Sequence, residues 1–177
     1  MIVVGFLGAP GEDGALAREI ARRASATGAR VELVGVAPSD ATGDQWLLEL
    51  ASAGVGHATV IRSRADRLEP ADLDLALRYL PDVHAIVLVA PEASLIAPAA
   101  AASGWSGAGL VVIARTGGEI DTDAAPQAVM LEPPAVDRDG TFAGLVAALA
   151  ARLDAGDDPK TAWQLTVSAL AVDPVGD

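Results

Sequence analysis

Asp137, Asp139, Gly140 and Thr141 are the residues best placed to do chemistry. They lie in the run Ala135-Val136-Asp137-Arg138-Asp139-Gly140-Thr141-Phe142-Ala143-Gly144. An apolar-faced helix is expected directly after it, over Phe142–Leu153. Free N–H groups at a helix start carry partial positive charge and can hold an anion. A carboxylate at that point can act on a ligand or can cap the helix itself. Capping by Asp139 or Thr141, typically worth ~1 kcal/mol, is the plainer expectation. A second turn, Gly8-Ala9-Pro10-Gly11-Glu12-Asp13-Gly14, follows the first apolar run. Gly11, Asp13 and Gly14 are its candidate anion contacts. It lacks both the Gly-Lys-Ser/Thr of a phosphate loop and a Gly-x-Gly-x-x-Gly fingerprint. Glu12-Asp13 would repel an anion, so an ordinary strand-to-helix turn is the plainer expectation here as well.

Other chemistries lack their residues. The chain has no cysteine, which removes disulfides, thiolate catalysis and cysteine-based zinc sites. His57 and His84 are the only histidines, and neither has metal-ligand spacing. Each precedes an apolar strand and is expected at a strand end. No metal site is expected. Asp154, Asp157 and Asp158 lack the spacing of a calcium loop, and Asp157-Asp158-Pro159 reads as a turn and N-cap. Ser103-Gly104-Trp105-Ser106-Gly107 is not a Gly-x-Ser-x-Gly elbow. Trp46, Trp105 and Trp163 are expected to be packing anchors.

Composition narrows the partners. Hydrophobic residues make up 51 % of the 177, aromatics only 3 %, and the formal net charge is −12. Mean hydropathy is +0.37. These values predict a folded chain with a core of Ala, Val and Leu. Nucleic acid needs a basic patch, and here the arginines are scattered and Lys160 is the only lysine. The stretch Ala85–Ala102 is broken by Pro91-Glu92 and Pro98, so no membrane span is expected. The opening residues have no basic flank, so no signal peptide is expected and a cytoplasmic location follows.

The elements that would carry these residues alternate. Ile2–Leu7, Val31–Val36, Ala58–Ile61, Ala85–Val89, Leu110–Ile113 and Ala128–Leu131 read as short strands. Gly14–Ala26, Gly43–Ala53, a helix opened by Pro70, Glu92–Ala102, Phe142–Leu153 and Thr161–Ala171 read as helices. Strands apolar on both faces, alternating with helices, predict an α/β fold. We expect a single three-layer domain over 1–177 with a mostly parallel sheet.

Several stretches resemble the PfkB (ribokinase-like) carbohydrate kinase family. Val136-Asp137 and Thr141-Phe142-Ala143-Gly144 are similar to the two ends of that family's closing signature. Gly28–Gly35, Gly43-Asp44 with Ala53-Gly54-Val55, Asp82–Leu88 and Asp137–Val172 follow its order along most of the chain. The resemblance implies a ribokinase-like core, an ATP- and magnesium-dependent phosphotransferase ancestry, and an anion-holding turn before Phe142. It implies a carboxylate base at the end of that turn. The departures lie in those working parts. The turn is a few residues shorter than in the family, and Gly140 falls at the base position. Leu16 stands where a sugar-contacting Asn belongs. The Asn-x-x-Glu motif for magnesium and phosphate cannot exist, because the chain has no asparagine. The β-lid, expected between about Ile61 and Leu68, and most of the nucleotide half, between Ile113 and Ala128, are missing.

The resemblance therefore implies a PfkB-like homologue that has lost phosphotransfer and acts in small-ligand binding or assembly. The alternative is an active ATP-dependent sugar or nucleoside kinase with Asp139 as base. ATP and magnesium are expected only in that alternative, and otherwise no cofactor. The expected partners are a small polar ligand and a second copy of the chain, with neither nucleic acid nor membrane. Loss of the lid would expose an edge around Ala58–Ile61, which makes the homodimer pair through a surface other than the family's.

Overall fold

The structure is a computed structural model describing residues 1–6, 12–63, 67–115 and 122–172. Six strands form one sheet: β1 (Ile2–Phe6), β2 (Val31–Pro38), β3 (Val60–Ser63), β4 (Ala85–Val89), β5 (Gly109–Ile113) and β6 (Val129–Leu131). Their order is β3-β2-β1-β4-β5-β6, and every pairing is parallel. Ile2 is in register with Val31 on one side and Ala85 on the other. Strand order reverses between β1 and β4. In open α/β sheets, ligand crevices form outside the carboxyl ends of the strands at such a point.

The helices are α1 (Glu12–Ala26), α2 (Ala41–Ser52), α3 (Pro70–Tyr79), α4 (Ala93–Ser106), α5 (Thr141–Asp154) and α6 (Pro159–Val172). Ile20, Ala21 and Ala24 of α1 join Leu50 of α2 and Val146, Leu149 and Ala150 of α5 on one face of the sheet. Leu73 and Leu77 of α3 and Leu95, Ile96 and Ala99 of α4 cover the other. Strand residues alternate between these cores: Val87 and Val111 face the first, Leu88 and Val112 the second. A fully buried parallel sheet requires this two-sided apolar pattern.

The observed helices differ from expectation at their ends. α4 runs past Ser103-Gly104 to Ser106 and stops at Gly107, whose φ of 74° closes it in the left-handed conformation. The Ser106 hydroxyl donates back to Ala102 O at 2.7 Å, within the last turn. Trp105 on that turn is 59 % exposed, so it is not a packing anchor. Trp46 and Trp163 are partly buried against the core, and the Arg18 guanidinium lies 4.2 Å over the Trp46 ring. No helix among the described residues is long and apolar enough to cross a membrane.

Candidate functional site

At the carboxyl edge of the sheet, β6 runs out through Glu132-Pro133-Pro134 into the loop that starts α5. Its candidate residues do separate things. Asp137 is the cap. Its Oδ1 accepts from Phe142 N at 3.0 Å and its Oδ2 from Ala143 N at 3.0 Å. These N–H groups belong to the first turn of α5, where no intrahelical acceptor exists. The expectation that Asp139 or Thr141 caps this helix is therefore corrected. Gly140 is the residue just before the helix, with φ of 67°, and Gly140 N donates to Asp137 O at 3.3 Å. This tight turn folds the chain back and brings the Asp137 carboxylate, not that of Asp139, over the helix start. Asp139 and Thr141 point their exposed surfaces outward.

α1 packs alongside α5 and meets the same loop. Arg23 Nη2 donates to Asp139 O at 3.4 Å, and Arg23 Nε donates to Glu19 Oε1 at 2.6 Å. A Cβ at Gly140 would run into the Arg23 guanidinium. Arg23 and Glu19 were not among the residues singled out from sequence. Their four-residue spacing marks a helical ion pair, but nothing in it signals a loop more than a hundred residues away.

Two cavities flank the loop. One, of about 300 Å³, lies between α1 and the loop, with Leu16, Glu19, Pro134, Asp137, Gly140 and Phe142 in its wall. The other, of about 840 Å³, opens on the outer side and includes Glu132, Arg138, Asp139 and Thr141. Of the first turn's candidates, Gly14 is buried in the first turn of α1. Asp13 belongs to that turn too, while Gly11 and the Gly8–Gly11 segment lie outside the described residues. Leu16, the residue in place of a sugar-contacting Asn, does reach the smaller cavity, beside Asp137 and Gly140. The walls there are mainly Pro, Ala, Val, Leu and Phe, so a ligand would find few hydrogen-bonding side chains.

No protein-family model matches the sequence, and comparison with curated proteins returned no match. Solved structures do match. A carbohydrate kinase from Agrobacterium tumefaciens superposes with a TM-score of 0.62 at 14 % identity, over 97 % of this chain and 89 % of that one. The tetrameric inhibited form of phosphofructokinase-2 from Escherichia coli gives 0.63 at 11 % identity, over 95 % and 92 %. A putative ribokinase II from E. coli gives 0.59 at 13 % identity, over 91 % and 83 %. The fold is ribokinase-like. The likeness is one of architecture and extends over most of each chain. In this ribokinase-like fold the loop before α5 lies beside α1, so the two motifs that the family resemblance singled out share one edge of the sheet.

Proposed function

We propose that this chain is a ribokinase-like protein that no longer transfers phosphate and uses its carboxyl edge for small-ligand binding or assembly. The observation that carries the reading is the Asp137 carboxylate on the first turn of α5. Both of its oxygens are bonded to N–H groups, at 3.0 Å each. By the family resemblance, the start of this helix is where transferring phosphate would be held. A carboxylate already bonded there answers the helix dipole and repels a second anion.

On this reading the carboxyl edge holds no ATP with magnesium. Among the described residues no group of three or more His, Asp or Glu side chains converges as metal ligands. Phosphoryl transfer depends mostly on positioning and charge stabilisation, and a carboxylate bonded to the first turn of α5 opposes the second of these. Gly140, at the family's base position, has no group to accept a proton.

Asp139 is the one residue that supports the opposite reading. Its exposed carboxylate lines the larger cavity next to Thr141 and Arg138. Wild type and Asp139→Ala should be compared in a phosphotransfer screen of sugars, nucleosides and sugar phosphates with ATP and magnesium. The expected result is no turnover by either protein. Turnover by the wild type that disappears in Asp139→Ala overturns the proposal and establishes an active kinase with Asp139 as base.

A further inference from the structure

α5 and α6 are joined by the short turn 155–158 and pack on each other as a helical hairpin. Val146, Leu149 and Ala150 fix one side of α5 in the core. α6 buries only Ala162 and Thr166 among its described side chains, and Trp163 is partly buried. Every side chain from Val167 to Leu170 is exposed. Leu165, Val167 and Leu170 are 42 %, 41 % and 45 % exposed. They are three of the nine large apolar side chains exposed among the described residues, so a third of that surface sits within six residues of one helix. Apolar surface gathered in this way marks an interaction site.

A surface helix ordinarily turns charged residues outward, and here there are none to turn. Residues 141–151 and 161–172 carry no charged side chain, in a chain where 20 % of residues are charged. The charges of the hairpin, Arg152, Asp154, Asp157, Asp158 and Lys160, gather at its turn. At 3.6 residues per turn, the arc of α6 from Leu165 through Ala162, Thr166 and Leu170 to Val167 spans roughly 200°. A helix covered by one neighbour needs about half of that. The middle of the arc, at Ala162 and Thr166, is buried, and its two flanks are not. This is the pattern of a bundle helix with a second neighbour beyond its own hairpin.

The formal net charge is −12, so two copies repel wherever their acidic surfaces meet. At the hairpin they meet without like charges. A basic partner would be drawn to the acidic surface elsewhere and would find no charge to pair with here. The matching partner must itself offer an uncharged apolar face, and a twofold axis supplies one from a second copy. We infer that the α5–α6 hairpin is the surface through which two copies of this chain associate, as a four-helix bundle with Val167 and Leu170 at its seam. Each 14-residue helix is about 21 Å long and two lie about 20 Å wide, a flat footprint of roughly 400 Å². Stable interfaces bury about 800 Å² per partner, so this dimer is a weak one, in the micromolar range. The surface is independent of whether the carboxyl edge holds phosphate.

Sedimentation equilibrium on the full chain, from about 5 to 500 μM, tests it across the range where a weak dimer forms. The expected result is a reversible monomer–dimer equilibrium with no larger species. Val167→Glu and Leu170→Glu should each weaken it at least about tenfold. Glutamate is a good helix former, so helical circular dichroism should match the wild type. Leu75→Glu on α3 adds the same charge at a site 54 % exposed and should leave association close to wild type. A wild type that stays monomeric throughout overturns the proposal, and the face then belongs to a partner of another sequence. A dimer that both α6 variants leave intact, or open-ended growth beyond the dimer, overturns it as well. So does equal weakening by Leu75→Glu, because association would then depend on net charge alone. Should one α6 variant fail to fold, the other decides the matter.

Discussion

At the scale of single residues, the loop before α5 depends on two features that act together. Gly140 holds a left-handed φ of 67°, and Arg23 lies where a side chain at Gly140 would go. Alanine at 140 meets a backbone cost of roughly 1–2 kcal/mol, and it must also displace the guanidinium. Gly140→Ala should therefore lower stability by more than the backbone cost alone. Arg23→Ala should remove the steric part, so the double variant loses less than the sum of the single losses. Urea denaturation of the four proteins measures this coupling, and strict additivity would show that Arg23 moves aside freely. The sequence disclosed part of this site. Asp137, Gly140 and Thr141 stood out by type and spacing, but which carboxylate caps α5 depends on how a tight turn folds back. That made Asp139 look like the cap, although Asp137 reaches the N–H groups. The role of Arg23 depends on α1 packing beside α5, a long-range contact that local pattern cannot report.

At the scale of elements, punctuation was readable where a residue type forces it and unreadable where a helix can run through. Pro70, Pro159 and the Asp158 cap start their helices as expected. Gly104 did not stop α4, because a glycine inside an otherwise good helix costs only ~1 kcal/mol and the true stop needs the left-handed Gly107. The Asp158 cap has a pH signature. Hydrogen bonds from Thr161, side chain first and then backbone, hold its carboxyl below the ordinary carboxylate range. A group with a depressed folded pKa stabilises fully above its unfolded value, about 3.9 for Asp, and loses that contribution as pH falls through the folded value. Asp158→Ala should therefore melt below wild type at neutral pH, with partial loss of helical circular dichroism from α6. The gap between the two proteins should stay constant down to about pH 4 and close in more acidic solution. A gap that persists unchanged at the acid end would show that the cap does not rest on the ionised carboxylate.

At the scale of the whole molecule, the sheet is the shared wall of two cores. Ile20 lies in the core beneath α1 and α5, and Leu77 in the core beneath α3 and α4; they are 0 % and 1 % exposed. The sheet separates them, but its strands supply side chains to both sides: Val87 to one and Leu88 to the other. Neither core can be lost while the other keeps its floor, because unfolding one face removes the hydrogen-bonded strands that carry the other. This two-sidedness was legible in the sequence, since Ala85–Val89 and Leu110–Ile113 are apolar at every position, as only strands covered on both faces are. Ile20→Ala and Leu77→Ala should each cost about 2–5 kcal/mol through lost burial and the cavity left behind. They share no partner, so the double variant should lose close to the sum. All four proteins should unfold in one transition, with fluorescence and circular dichroism coincident. A variant that melts in two steps, with one core surviving the loss of the other, would show that the sheet does not couple its two faces.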